Sequence, residues 1–185
     1  MAVSDKKVAF LLTRGVEQIE LTSPRQALDE AGATTTLISP SEGTLQAMQS
    51  DWDHGDTFDV DLPVGQARVE DFDMLVLPGG TLNSDALRLD EDSVELVKAF
   101  FAADKPVAAI CHAPWTLAQA GVAKGRRLTS FASTQVDLKN AGADWVDEEV
   151  VVDGNLITSR KPDDIPAFNK AIIEALTQVA AGENA

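Results

Sequence analysis

Residues 106–114, with the sequence PVAAICHAP, decide the fold class of this chain. The first five residues form an apolar run, which is typical of a strand buried on both faces of a sheet. The pattern then becomes helical over residues 111–120, and Gly121 marks its end. A buried strand that turns directly into a helix is the building unit of parallel α/β sheets. Cys111, the single cysteine, lies at this turn.

The same alternation continues on both sides of this stretch. Apolar and β-branched runs predict strands at residues 8–12, 34–38, 74–77 and 128–131, and a hairpin over 150–158. Helical periodicity predicts helices at residues 19–31, 92–103, 134–141 and 162–179. We therefore expect an α/β fold with a mostly parallel central sheet and helices on both faces. Ligands bind such sheets at the carboxyl ends of the strands, which selects the loops after Leu12, Leu77 and Ile110.

Residues 43–66 interrupt this alternation. They are acidic and contain Asp51, Asp53, Asp56, Asp59 and Asp61 but no Lys or Arg. Short apolar-polar alternations predict small exposed strands, and the charge run favours a solvated antiparallel appendage. His54 lies among these carboxylates, where it is either part of a divalent cation site or a surface side chain. The surface interpretation is favoured because two His and one Cys do not form a convincing zinc set.

Cys111 and His112 form the strongest candidate for chemistry. A cysteine at a sharp strand-to-helix turn resembles a nucleophile elbow, and the amides of a helix N-terminus would lower the pKa of its thiol. The adjacent His112 is a candidate base toward that thiol. The alternatives are a buried, inert cysteine and a histidine that packs against or caps the helix.

Two further pairs of residues fall at the same sheet edge. Gly79 and Gly80 end the strand at 74–77, where glycine permits positive φ and close backbone approach, and their amides are candidates for an oxyanion hole over Cys111. Glu17 and Glu20 lie three residues apart, so they can share one face of a helical turn. A carboxyl held in an apolar site beside the thiol would have a raised pKa and would donate a hydrogen bond to sulfur.

Length and composition exclude several classes of protein. The 185 residues are 44% hydrophobic and 24% charged, which suits a sizeable core, and we expect a single domain over residues 1–185. The net charge of −15 argues against nucleic acid or an anionic membrane as a partner, because both would repel it. One cysteine excludes an intrachain disulfide. No signal peptide or membrane-spanning run is visible, so we expect a cytoplasmic protein.

Four motifs together resemble the PfpI-type intracellular protease family. They are residues 15–20 (GVEQIE), 77–80 (LPGG), 109–114 (AICHAP) and 140–160 (NAGADWVDEEVVVDGNLITSR). This family belongs to the superfamily of the Parkinsonism-associated protein deglycase and class I glutamine amidotransferase-like proteins. The resemblance implies a flavodoxin-like three-layer α/β/α sandwich with small antiparallel hairpins.

The resemblance also implies roles for individual residues. Cys111 matches the nucleophile, His112 the adjacent histidine, and Glu20 the glutamate that hydrogen-bonds the sulfur, with Glu17 near the same pocket. Gly80 matches the oxyanion site, together with the amides of Cys111 and His112. These matches make Cys111, His112 and Glu20 the expected catalytic residues.

Two positions depart from the family pattern. In protease-like members, a glutamate shortly after the glycine pair comes from a neighbouring subunit and orients the histidine. No glutamate occurs there in this chain, and Asp85 is the candidate substitute. Phe131 stands where some members carry an aromatic hydroxyl. Both departures weaken the peptidase hypothesis.

The expected function is therefore a stress-response cysteine hydrolase that acts on a small reactive carbonyl or its glycation adduct. A PfpI-type peptidase is the alternative within enzymes. A redox sensor or chaperone that works through oxidation of Cys111 is the alternative outside them. The resemblance further implies a homodimer, and no metal or organic cofactor is expected.

Overall fold

Strands and helices alternate along the structure, a computed structural model that describes residues 3–182. The strands are β1 (Lys7–Leu11), β2 (Thr34–Ser39), β3 (Thr44–Gln49), β4 (Asp53–Asp59), β5 (Leu62–Pro63), β6 (Met74–Leu77), β7 (Val107–Ile110), β8 (Arg127–Leu128), β9 (Asp144–Trp145), β10 (Val150–Asp153) and β11 (Leu156–Ser159). The helices are α1 (Gln18–Ala31), α2 (Thr81–Leu87), α3 (Glu91–Ala102), α4 (Pro114–Gln119), α5 (Gln135–Asn140) and α6 (Ile165–Gly182). Short 3-10 turns lie at Val64–Gln66, Val69–Asp71, Ala132–Thr134 and Pro162–Asp164.

The central sheet has seven strands in the order β10-β11-β7-β6-β1-β2-β5. Every neighbouring pair is parallel except β10 and β11, which form the antiparallel hairpin predicted at the end of the chain. Strands β3 and β4 form a separate antiparallel pair, and β8 and β9 a short parallel one. The predicted mostly parallel sheet with small hairpins is confirmed.

The two faces of the sheet carry separate apolar layers, because alternate side chains of a strand point in opposite directions. Phe10 and Val76 pack on one face with residues of α1 and α6, such as Leu28 and Phe168. Their neighbours in the strands pack on the other face with residues of α3, α4 and α5, including Phe100. The α/β/α sandwich predicted from the sequence is therefore confirmed.

The strand register brings the predicted site loops together. Leu77 at the end of β6 pairs with Ala109 of β7, and Ile110 at the end of β7 pairs with Ser159 of β11. Strand β1 lies on the other side of β6. The segments that follow β1, β6 and β7 thus begin side by side at one edge of the sheet.

Two predicted boundaries near this edge are wrong, and one helix was not predicted. The helix expected over residues 111–120 begins at Pro114, because Cys111 has a left-handed backbone and proline suits the first helical position. The strand expected at 128–131 ends at Leu128, since the Thr129 N–H donates to the side-chain hydroxyl of Thr158 and not to the backbone of a neighbouring strand. Helix α2 was not predicted, because its seven residues carry only a weak helical pattern.

The acidic segment is an antiparallel hairpin, but the prediction of a solvated appendage is wrong for β3. Leu45 and Ala47 of β3 are buried in the core, while β4 is mostly exposed. Glu17 pairs with Met48 through an isolated bridge, which ties this hairpin to the segment after β1. The connection between β3 and β4 consequently lies beside the site edge.

Candidate active site

The segments that follow β1, β6 and β7 contribute to one cavity of about 370 Å³. Its lining consists of Glu17, Ser50, Asp51, Gly80, Thr81, Cys111, His112, Phe131 and Pro162. Four residues selected from the sequence, Glu17, Gly80, Cys111 and His112, therefore lie together. Glu20 lies behind them, buried at the start of α1.

Cys111 directly follows β7 and has a φ of 63°. This left-handed conformation costs a residue other than glycine roughly 1–2 kcal/mol. Two backbone hydrogen bonds hold it: the Cys111 N–H donates to the Ser159 carbonyl at 3.1 Å, and the Phe131 N–H donates to the Cys111 carbonyl at 2.8 Å. The turn places the thiol at the cavity, as in a nucleophile elbow.

The surroundings of the Cys111 thiol favour its protonated form. Burial is the main cause that raises its pKa well above the ordinary value, and the charge of Glu20 acts in the same direction. The N–H groups of Gly80 and His112 oppose this rise by hydrogen bonding to sulfur. The sequence predicted a lowered pKa, and that prediction is wrong. The residue is 7% exposed, and α4 begins three positions later than expected.

His112 lies against the thiol. Its Nδ1 atom is 3.2 Å from Cys111 Sγ, which is hydrogen-bond distance for sulfur. Its ring stacks on Phe131 with centroids 4.7 Å apart. Burial lowers the pKa of His112, and the negative charge of Asp51 offsets part of that change. A neutral imidazole in contact with a neutral thiol has the arrangement that a general base requires.

Glu20 is a buried carboxyl that keeps its proton at neutral pH. Burial raises its pKa to about 8, aided by repulsion from Glu17 and Asp51, whereas its interactions with Cys111 and Gly79 lower it. Oε2 accepts a hydrogen bond from the Gly79 N–H at 2.9 Å. Oε1 is buried and has no hydrogen-bond partner among residues 3–182. The raised pKa expected for a carboxyl beside the thiol is found at Glu20.

Gly79 and Gly80 allow the backbone after β6 to approach this group. A Cβ atom on Gly79 would lie 2.7 Å from Cys111 Cβ and 2.8 Å from the Ile110 carbonyl. Gly80 has a φ of 91°, and its side-chain position is filled by the backbone of residues 15–17. Both positions thus require glycine, and Gly80 directs its N–H to the sulfur.

Glu17 acts on the β3–β4 turn and not on the thiol. Its carboxylate accepts hydrogen bonds from the backbone N–H groups of Ser50 at 3.1 Å and Asp51 at 3.4 Å. Asp51 in turn accepts two hydrogen bonds from Thr81. Asp51 and Thr81 were not recognised in the sequence as site residues. Asp51 stood in an acidic run, where its neighbours carry the same charge and no local pattern distinguishes it.

The second nitrogen of His112 contacts hydroxyl groups. Nε2 lies 3.1 Å from Ser133 Oγ and 3.4 Å from Thr81 Oγ1. Asp85, the predicted substitute for the family glutamate, lies on the exposed side of α2 and borders a second cavity with Arg14 and His54. Within residues 3–182 its carboxylate makes no hydrogen bond to His112. A contribution of Asp85 from a second subunit stays a prediction.

Metal-binding clusters and membrane-spanning helices are both absent from the described residues. The part of the chain from Val3 to Gly182 contains no group of three or more His, Cys, Asp or Glu side chains placed to hold a metal ion. His54 is exposed on β4. In the same residues, no helix combines the length and the apolar character needed to cross a membrane.

Comparison with known proteins agrees with this geometry. A model of the DJ-1/PfpI family matches residues 6–175. The chain belongs to the DJ-1/PfpI family. It is 43% identical to general stress protein 18 of Bacillus subtilis, with 92% of this chain and 98% of that protein covered. It is 41% identical to a protein named deglycase from Thermococcus kodakarensis, covering 92% and 99%, and equally identical to a putative cysteine protease of Bacillus subtilis, covering 92% and 98%.

Solved structures of the DJ-1/PfpI family share the fold. Drosophila melanogaster DJ-1beta superposes with a TM-score of 0.83 at 32% identity, covering 98% of this chain and 97% of that one. A two-domain protein from Anabaena variabilis, which joins a DJ-1/ThiJ/PfpI-like domain to a ferritin-like domain, gives a TM-score of 0.88 at 34% identity. The alignment covers 94% of this chain but only 48% of that protein. The predicted family is thereby confirmed.

Proposed function

We propose that this family member is a stress-response hydrolase that uses Cys111 to attack small reactive carbonyls or their glycation adducts. One observation carries the proposal: the Cys111 thiol and the His112 ring lie 3.2 Å apart in the wall of a cavity. The relatives named deglycase and general stress protein support the same class of activity.

The chemistry starts from a neutral pair, so the attack requires proton transfer. His112 Nδ1 accepts the thiol proton while Sγ bonds to the carbonyl carbon, and the carbonyl π electrons move to oxygen. That oxygen then takes the proton from His112, which completes a hemithioacetal. The N–H groups of Gly80 and His112 point toward the sulfur and are placed to stabilise the oxygen. The Cys111 N–H, which the family pattern includes, is already bonded to Ser159.

Release of the thiol needs only water. In the hemithioacetal of a 2-oxoaldehyde, the hydrogen of the former aldehyde carbon moves to the neighbouring carbonyl carbon, the hydroxyl proton moves to the oxygen of that carbonyl, and a thioester results. Water then cleaves the carbon–sulfur bond of the thioester to give a hydroxy acid and the free thiol. No external oxidant or reductant is consumed, because one carbon is oxidised while its neighbour is reduced.

The cavity supports a small substrate. Its volume of about 370 Å³ is near the lower end of the range for ligand pockets, roughly 300–1,000 Å³. Phe131 and Pro162 are apolar residues of its lining, and Glu17 and Asp51 are charged ones. A molecule of a few heavy atoms fits this space better than an extended peptide.

The test compares wild type with Cys111→Ala and Cys111→Ser. We expect loss of methylglyoxal consumption, and loss of the release of free amine from methylglyoxal-treated N-acetyl-lysine, in both variants. Glu95→Gln is the control, since Glu95 lies on α3 and pairs with Lys98 far from the cavity. Turnover that is unchanged in Cys111→Ala would refute an enzymatic role for this cysteine.

Peptide cleavage is the second candidate activity, and the named cysteine protease among the relatives favours it. The same three variants are assayed with a fluorogenic peptide. Cleavage that depends on Cys111, in the absence of methylglyoxal turnover, would replace the carbonyl proposal with the peptidase one.

Oxidation of Cys111 is a third candidate of another class. The sulfur is surrounded by groups that can hold an oxidised form: the Gly80 and His112 amides and the protonated Glu20. Two peroxide molecules convert the thiol to a sulfinic acid and release two water molecules. Intact mass after mild peroxide is expected to rise by two oxygen atoms in wild type and not in Cys111→Ser. An unchanged wild-type mass contradicts this role.

We also propose a cytoplasmic homodimer. Large apolar side chains are exposed near the site edge, including Ile19 of α1, Leu82 of α2 and Trp52 after β3. Light scattering is expected to give about twice the chain mass of 19.7 kDa. A mass of one chain at micromolar concentration contradicts the dimer, and fractionation of cells tests the compartment.

A further inference from the structure

A chain of contacts connects the β3–β4 turn to His112, the proposed general base. Asp51 Oδ1 accepts a hydrogen bond from the Thr81 N–H at 2.9 Å, and Oδ2 accepts one from Thr81 Oγ1 at 2.7 Å. Thr81 Oγ1 lies 3.4 Å from His112 Nε2. His112 Nδ1 lies 3.2 Å from Cys111 Sγ. The series Asp51, Thr81, His112 and Cys111 is therefore continuous.

The single proton of the Thr81 hydroxyl decides which group donates and which accepts in the contacts of this series. A hydroxyl has one proton to donate, and an ionised carboxylate only accepts. Because Asp51 takes that proton, Thr81 Oγ1 can contact Nε2 only as an acceptor, so Nε2 carries the ring proton. Nδ1 of the neutral ring is then free to accept the thiol proton of Cys111. Ser133, the other neighbour of Nε2, is exposed, and its hydroxyl can rotate to accept as well.

We propose that Asp51 is a positioning residue that, through Thr81, holds His112 in the tautomer that accepts the Cys111 proton. This inference rests on the proposed function, in which His112 is the base. The resemblance to the PfpI-type family implies that, in protease-like members, a glutamate from a neighbouring subunit orients the histidine. Here the group comes from the same chain, from a hairpin that the sequence suggested was an appendage.

The surroundings of Asp51 support this assignment. Its backbone is left-handed, with a φ of 62°, and its N–H bonds the carboxylate of Glu17. The preceding Ser50 is also left-handed and bonds the same carboxylate at 3.1 Å. Backbone strain of this kind persists where surrounding contacts fix it, and it concentrates at functional sites. The negative charge of Asp51 also favours the imidazolium that forms during the attack, since it raises the pKa of His112.

The substitution Asp51→Asn tests the direction of the hydrogen bonds. The Thr81 N–H still needs an acceptor, so the amide oxygen stays with it and the amide nitrogen faces Thr81 Oγ1. The amide then donates to the hydroxyl, and the hydroxyl turns its own proton to Nε2. We expect His112 to change to the Nδ1–H tautomer, which cannot accept the thiol proton.

Nitrogen-15 NMR of the imidazole rings measures this change directly. The chain has two histidines, and a His54→Gln variant assigns both rings. In wild type, the nitrogen-15 signal of a protonated ring nitrogen is expected at Nε2 of His112. In Asp51→Asn, that signal is expected at Nδ1. The rate of Cys111 alkylation by iodoacetamide is expected to fall about 10²-fold in the variant, the lower end of the general-base contribution.

Three control variants separate positioning from folding. Asp53→Asn removes the same charge from the same hairpin, where Asp53 is exposed, and it is expected to keep the wild-type tautomer. Thr81→Ser keeps the hydroxyl and is expected to behave as wild type. Thr81→Val keeps the N–H bonded to Asp51 but breaks the link to Nε2, so alkylation is expected to slow even if Asp51→Asn does not fold.

Two results overturn the inference: an Nε2–H tautomer in folded Asp51→Asn, or wild-type alkylation in Thr81→Val. Neither measurement requires substrate turnover. A tautomer change in a protein that does not consume carbonyl compounds would refute the proposed function while the positioning role of Asp51 stands.

Discussion

Replacement of Glu20 by glutamine is expected to remove a large pH dependence of stability between pH 4.5 and 8. The Glu20 side chain is fully buried, and burial is the main cause that raises its pKa from 4.5 to about 8. The folded chain therefore holds this proton more tightly than the unfolded chain does. Unfolding in this pH window releases the proton, so stability falls as the pH rises.

The size of the effect follows from the two pKa values. Each tenfold change in proton affinity corresponds to about 1.4 kcal/mol, so the change from 4.5 to about 8 corresponds to about 5 kcal/mol. This stabilisation is fully present below pH 4.5 and is lost as the pH rises through about 8. Glutamine stays neutral throughout. From pH 4.5 to 8, the free energy of unfolding of wild type should therefore fall by about 5 kcal/mol more than that of Glu20→Gln.

Urea unfolding followed by tryptophan fluorescence at several pH values measures this difference. Glu30→Gln is the matched control, because Glu30 lies on the same helix, is exposed, and undergoes the same replacement of a carboxyl by an amide. Its stability curve is expected to parallel that of wild type. If the curve of Glu20→Gln also stays parallel to wild type within about 1 kcal/mol, the buried carboxyl does not hold a proton at neutral pH and the argument fails.

Three further predictions concern the backbone turn and the core. Cys111→Gly should be more stable than Cys111→Ala by about 1 kcal/mol in urea, because only glycine is unstrained at a φ of 63°; equal stabilities would contradict this. Gly79→Ala should slow alkylation of the thiol and lower Tm, since its Cβ would meet Cys111 Cβ at 2.7 Å, and an unchanged Tm would refute the close packing. Phe100→Ala should lose about 3–5 kcal/mol of unfolding free energy because Phe100 is fully buried. A loss well below that range would mean that neighbouring side chains fill the space left by the Phe100 ring.

The central sheet and the inner part of the site were predictable because their signals are local. Strands β6 and β7 are short apolar runs; Cys111 directly follows β7, and Gly79 follows β6 after one proline. Parallel strands in one sheet end at the same edge, so adjacency in sequence to a strand end becomes adjacency in space. Glu17 and Glu20 were singled out because they follow the first strand, and the resemblance to the PfpI-type family distinguished Glu20 as the partner of the sulfur.

The outer part of the site was not predictable because it depends on long-range contacts. Asp51 and Thr81 are 30 residues apart, and Thr81 and His112 are 31 apart. Their meeting requires the β3–β4 hairpin to fold back onto the segment after β1, which no composition or periodicity indicates. The direction of the Cys111 pKa was missed for a related reason. The expected helix amides are local, whereas the burial that outweighs them is a property of the packed structure.

Burial is the main influence on the protonation of Cys111 and Glu20. An ionised Glu20 beside the sulfur raises the pKa of the Cys111 thiol. Two negative charges in one buried space are costly, and burial favours the protonated form of each group. In the proposed mechanism, the thiol becomes nucleophilic as its proton moves to His112. Its reactivity therefore depends on the orientation of the imidazole more than on a preformed thiolate, which makes the contacts that hold His112 in place part of the reaction.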